Sequence, residues 1–335
     1  MNPFATTAIG SLPLTDTDQA VELNLQYLDI PCWPQLPKLS FLENMYVQFC
    51  EGFPGIVIDE SQKKIYVKED SPEQEEFFQA VVNNDYEYFK ISENYARGLY
   101  AFVKKAKGRQ IVKGQITGPV SFGLSITQED GRAIFYNEQL REIVIKHLTM
   151  KTLWQYRFLK QIAHEVIIFI DEPYLSSIGS GFLTISETDI QDSLSEVVNL
   201  LKNEGVIVGI HCCGNTDWEK LSNLNLDIIN YDTYNYPQSL LIHPEVVSSH
   251  INKGGYIAWG IVPSSREIED VNLEGLMGRM KDVFQKVRDK KIDINLLKER
   301  SLLTPSCGTG TVSEREALRV YDNLRELKRS LKEVI

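Results

Sequence analysis

Short, nearly uninterrupted apolar runs alternate along this chain with longer stretches whose apolar residues recur every three to four positions. That alternation is the strongest constraint on the fold. A strand that is apolar on both faces must be covered on both, and helices that cross between parallel strands provide the cover. The strand candidates are TTAIGS (6–11), QIVKGQITG (110–118), EVIIFIDEP (165–173), GVIVGIHCC (205–213), DIINYDTY (227–234), YIAWGIVP (256–263) and SLLTPSCG (301–308). Helical periodicity fills 133–163, 187–204, 267–290 and 313–332. In the last of these, Ala317, Leu318, Val320, Tyr321, Leu324 and Leu327 share one face, and Ser313 with Glu316 fits a capping box. The region 27–67 offers an eighth strand, so the pattern predicts an α/β fold, a (β/α)8 barrel. An open doubly wound sheet ranks second, because its Gly-rich dinucleotide fingerprint follows none of these strands. The Pro-rich stretch from about 30 to 75 (PCWPQLPKLS, EGFPGIVIDE) reads as an irregular insertion or lid. No repeat or low-complexity linker divides the chain, and residues 1–335 read as one domain.

In such barrels the chemistry sits at the C-terminal ends of the strands. Here those ends carry Ser11, Asp171 with Glu172, His211 with Cys213, Asp232, and Cys307. Positions i and i+2 of an extended chain point the same way, so His211 and Cys213 can face one ion while Cys212 points away. An imidazole, two thiolates and a carboxylate suit Zn2+. The competing reading makes the two cysteines small buried hydrophobes and Asp232 a cap.

With 35 basic against 46 acidic residues and a net charge of −11, general binding to nucleic acid or to an anionic membrane is not expected. No apolar run is long enough for a membrane span. The start, MNPFATTAIG, lacks the basic and apolar regions of a signal peptide, so a cytoplasmic location is expected, with the five cysteines reduced. His147 and His164 read as parts of polar helix faces. His243 is placed to reach the mouth, and Trp259 reads as core. Ser264, Ser265 and Arg266 follow a strand where backbone N–H groups can hold an anion. The acidic stretch 69–78 reads as a helix start.

Taken in order, the motifs resemble the C-terminal catalytic half of cobalamin-independent methionine synthase. TTAIGSLPLT is similar to that family's Thr-Thr-x-Ile-Gly-Ser-x-Pro opening, QITGPVSF to its Thr-Gly-Pro-Val strand, and IDEPYL to its Asp-Glu-Pro turn. HCCGN is similar to its His-x-Cys zinc strand and LTPSCGTGT to its final Asn-Pro-Asp-Cys-Gly stretch. The motifs run from Thr6 to about Arg319, nearly the whole chain. The resemblance implies a zinc-dependent methyltransferase with His211, Cys213 and Cys307 as ligands and Asp232 where the family has a glutamate. It places homocysteine against Ile9, Ser11 and Asp171, with Glu172 beside it on the same turn, and gives Asp171 the acceptor's ammonium.

Two departures stand out. The family's His-Gly-Glu motif is absent, with Glu51, Asp59 and Glu60 at about the right distance to replace its glutamate. The family's duplicated N-terminal barrel, which helps hold polyglutamyl folate, does not fit in 335 residues. Short relatives are thought to take methyl from a corrinoid protein, so methylcobalamin or a methylated corrinoid is the expected donor. The alternatives are a corrinoid:coenzyme M-type or other thiol methyltransferase, and a non-catalytic zinc-dependent partner of a corrinoid protein. Metal-free porphyrinogen decarboxylation is disfavoured, because it calls for arginines near the N-terminus and the first arginine here is Arg97.

Overall fold

Isoleucine, valine and phenylalanine carry the central strands of this chain, and their branched or flat side chains favour extended backbone packed on two faces. The computed structural model describes residues 1–68, 71–178 and 185–334. Its strands are β1 (Ala5–Thr6), β2 (Ile56–Asp59), β3 (Lys64–Val67), β4 (Arg109–Thr117), β5 (Thr127–Gln128), β6 (Ala163–Asp171), β7 (Ile207–Cys212), β8 (Ile228–Tyr231), β9 (Tyr256–Val262) and β10 (Ser301–Pro305). Seven form one sheet in the order β1-β10-β9-β8-β7-β6-β4. Every pairing in it is parallel. Helices such as Glu138–Lys160, Glu187–Asn203, Leu273–Asp289 and Glu314–Val334 cross between the strands on the outside.

Residues 30–35 close the sheet into a barrel by bonding to both of its edges. Toward β1, Ile30 N donates to Thr6 O (3.0 Å) and Gln35 N to Gly10 O (3.1 Å). Toward β4, Lys113 N donates to Pro31 O (2.9 Å) and Trp33 N to Lys113 O (3.4 Å). Isolated parallel bridges join Ser11 to Gln35 and Cys32 to Lys113. Pro31 and Pro34 lack the N–H a continuous ladder needs, so the eighth strand is a broken one. The expected (β/α)8 architecture holds, with one correction: residues 30–35 belong to the barrel wall, and the irregular insertion begins after them.

That insertion contains two 3-10 turns (Phe41–Glu43 and Val47–Phe49), the antiparallel hairpin β2/β3, and the helix Glu73–Val82. The helix accounts for most of the acidic stretch 69–78, whose first two residues lie outside the described ones. Helix Glu138–Lys160 anchors the insertion. His147 Nε2 donates to Phe49 O (2.7 Å), and Lys151 Nζ to Phe89 O (3.2 Å) and Lys90 O (3.1 Å). His147 therefore does not lie on a polar face. It is buried among the rings of Phe53, Phe77, Phe89 and Phe122, and burial drives its proton affinity well down. His164 also departs from expectation, standing at the exposed start of β6.

Inside the barrel the strands run from apolar to polar. Ala5, Ile30, Ile167, Phe169, Ile228, Ala258 and Leu302 form a cluster of their own, separate from the core under the helices. Two residues further along their strands, on the same face, come Asp171, Asn230 and Thr304, all buried. Gly209 makes room for this filling, because a Cβ there would lie 2.5 Å from the Phe169 ring.

Candidate metal centre

The chemistry-bearing residues leave the strands at this polar end. Asp171 and His211 are register partners on β6 and β7, and Glu172 N donates to His211 O (2.8 Å). Cys213 follows β7 directly. On β10 the register shifts between Thr304 and Pro305, and Cys307 follows two residues later. One ligating atom each from His211, Cys213 and Cys307 fall within 4.8 Å of one another.

The imidazole is held at Nδ1, 2.5 Å from Asn230 Oδ1, while the buried Nε2 has no hydrogen-bond partner. Asp171 Oδ1 is buried without a partner as well. Unpaired buried polar atoms are costly, so two at one end of a barrel mark a place where something binds. Cys307 and then His211 hold the Cys213 thiol well below its ordinary range, with burial opposing, while Cys307 is pushed well up by Cys213 and by burial. The two sulfurs therefore titrate as a pair, one made more acidic at the expense of the other. Burial pushes Asp171 up to about 6, against the charges of His211 and Lys113. Two sulfurs and an imidazole nitrogen are a donor set that fits zinc.

The other anticipated residues fall around this group. Asp232 directly follows β8 but does not join the three within 4.8 Å. Its Oδ1 accepts from Asn235 N (2.9 Å) and its Oδ2 from Asn235 Nδ2 (2.7 Å), an arrangement that closes the turn after β8. Glu172 is fully buried and binds the N-terminus of helix Pro119–Ser125, accepting from Val120 N (2.9 Å), Ser121 N (2.8 Å) and Ser121 Oγ (2.5 Å). Ile9 O accepts from Lys113 Nζ (2.7 Å). Ser11 Oγ accepts from Gly310 N (3.2 Å), and a Cβ on Gly308 would meet it at 2.1 Å, so the glycines after Cys307 let the first and last strands close together.

The acidic candidates of the insertion lie elsewhere. Glu51 Oε2 accepts from Ser92 N (2.7 Å), Asp59 ends β2 opposite Lys64, and Glu60 begins the hairpin turn. His243 stands among exposed carboxylates, 3.7 Å from Asp217 and 3.5 Å from Glu219. Ser264 N donates to Ser306 Oγ (3.1 Å). Trp259 is core, as expected.

Sequence reading passed over Lys113, Asn230, Thr304 and Tyr46. The first three interrupt apolar strands with buried polar side chains, which was the available signal. Tyr46 comes from the insertion. Burial pushes its phenol up to about 12, and Ser125, Tyr174, Glu172 and Cys213 surround it, so the insertion reaches the site through this ring. Thr117 Oγ1 fastens the same loop by donating to Met45 O (2.7 Å).

No family model and no curated protein matches the sequence. Solved structures do match the fold. A B12-independent methionine synthase from a Shewanella species, in complex with selenomethionine, aligns with a TM-score of 0.61 at 15% identity, over 99% of this chain and 100% of that one. A methyltransferase from Methanosarcina mazei aligns with a TM-score of 0.59 at 12% identity, over 97% of this chain and 94% of that one. The chain has the barrel fold of these structures from end to end, and the likeness anticipated from its motifs is present in its architecture.

Proposed function

We propose that this chain is a zinc-dependent methyltransferase that methylates a small thiol, with homocysteine as acceptor and methionine as product. The observation that carries this reading is the group formed by His211, Cys213 and Cys307 at the mouth of a methionine synthase-type barrel, with the buried Nε2 of His211 unpartnered. Zinc held there would supply an acceptor bound as thiolate, where a free thiol has a pKa of roughly 8.5. Cysteine sulfurs must be deprotonated to take the ion, so metal uptake weakens as pH falls.

Asp171 favours homocysteine over coenzyme M. Its free Oδ1 accepts a hydrogen bond from an ammonium and repels a sulfonate. In the transfer itself, a lone pair on the acceptor sulfur forms the S–C bond while the bond from carbon to the donor breaks, its electrons staying on the donor. A methylated corrinoid, free or carried on a protein, is the proposed donor. A polyglutamyl folate is a long polyanion, and a chain of net charge −11 with no dense Lys/Arg stretch near the proposed strand ends is a poor match for it. Among the described residues no helix is long and apolar enough to cross a membrane, which agrees with a cytoplasmic enzyme acting on small solutes.

The test is metal analysis of chelator-free protein, followed by methionine measurement with homocysteine and either methylcobalamin or methyltetrahydrofolate. About one zinc per chain and turnover with the corrinoid are expected. Equal rates from folate alone would refute the donor. Absence of product with every thiol tried would favour a non-catalytic partner of a corrinoid protein.

A further inference from the structure

Beneath the proposed ligands lies a chain of buried polar groups with a definite direction. His211 Nδ1 is 2.5 Å from Asn230 Oδ1. The amide nitrogen of Asn230 donates twice, to Ala258 O (2.8 Å) and to Thr304 Oγ1 (2.8 Å). Ala258, Asn230 and Thr304 are completely buried, so no solvent offers them another partner. The carbonyl of Ala258 has no proton and only accepts. It therefore fixes which way the amide faces, because a flipped Asn230 would set two oxygens against each other. With Oδ1 committed to the imidazole, and able only to accept, the proton between them belongs to Nδ1. The lone pair of the neutral ring is then on Nε2, the buried atom without a partner.

We infer that Asn230 is a positioning residue that fixes His211 as the Nδ1–H tautomer, and so presents Nε2 to the two sulfurs. The chain ties together β7, β8, β9 and β10, including both strands that lead into the cysteines. A carboxylate in this place would also orient the ring while making it more basic. An amide orients it without adding negative charge beside two sulfurs. The zinc reading above supplies the reason such an orientation matters, although the tautomer itself is readable without metal.

The experiment uses the full-length chain carrying Cys213→Ser and Cys307→Ser, so that no thiolate competes for the imidazole proton. Long-range 15N–1H correlation spectra of 15N-histidine-labelled protein at alkaline pH report the tautomer of His211. The expected form is Nδ1–H, whereas free imidazole side chains in water favour Nε2–H. Adding Asn230→Ala should shift His211 toward Nε2–H, and adding Asn230→Asp, which keeps an acceptor toward the ring, should retain Nδ1–H. In the chain with both cysteines intact, Asn230→Ala should weaken zinc binding ~10–100-fold by chelator competition. Nε2–H in the parent, or an unchanged tautomer in folded Asn230→Ala, overturns the inference. A cysteine-containing chain that takes no zinc, beside an Nδ1–H signal, would refute the zinc reading and leave this one standing.

Discussion

Asp171→Asn separates what Asp171 does for a substrate from what its burial costs the fold. A hydrogen bond between an ammonium and a carboxylate is worth about 1.5–3 kcal/mol. Losing it should reduce kcat/KM for homocysteine by about 10- to 150-fold, mostly through KM. With 4-mercaptobutanoate, which has no amino group, the same variant should match the wild type. Stability should move the opposite way. Burial raises Asp171 from 3.8 to about 6, so the folded state binds its proton more tightly than the unfolded state does. Such a group costs nothing below the unfolded value; its penalty grows between the unfolded and the folded values and is complete above the latter. At about 1.36 kcal/mol per unit, ionisation costs about 3 kcal/mol at pH 8. Metal-free Asp171→Asn should therefore be about 2–3 kcal/mol more stable than wild type at pH 8, with the gain fading below about 6 and gone below about 4. Urea unfolding across pH and steady-state kinetics with both thiols measure the two effects. Equal losses with both thiols would refute the ammonium role, and destabilisation at pH 8 would refute the electrostatic reasoning.

Three further outcomes are expected. Cys213→Ser and Cys307→Ser should each lose most bound zinc by metal analysis, while Asp232→Ala, whose carboxylate is engaged by Asn235, should keep close to one equivalent. Metal uptake by the wild type, followed by chelator competition, should weaken as pH falls, because the ligating sulfurs must be deprotonated. Gly209→Ala should cost about 1–3 kcal/mol in urea unfolding, since its Cβ falls on the buried Phe169 ring.

Much of the architecture was legible because burial on two faces leaves a continuous apolar signal. β4, β6, β7, β8, β9 and β10 all lie within the stretches read as strands or within two residues of them. The eighth strand was harder to place. Its two prolines remove ladder hydrogen bonds, and its pairing depends on backbone carbonyls of β1 and β4 that no side chain reveals. His147 was misplaced for a related reason. One polar residue on an amphipathic helix reads as surface unless the insertion that covers it is known. Of the candidate site, the residue types and their places at or just after strand ends were readable from the sequence, whereas their convergence required the closed barrel.

The strand β8 shows where reading by residue type reaches its limit. It carries the buried Asn230, and the buried Asp232 follows directly after its end. A carboxylate at a strand end beside a His-x-Cys motif invites assignment as a ligand, and an asparagine inside an apolar strand invites none. Hydrogen bonding reverses their weight. Both Asp232 oxygens serve the local turn, while Asn230 stands between the imidazole and the two strands beyond it. Affinity of a residue type for a metal depends on which lone pairs remain free once neighbours are satisfied. Here each carboxylate oxygen already accepts a hydrogen bond from Asn235, and the amide directs the imidazole's lone pair toward the sulfurs.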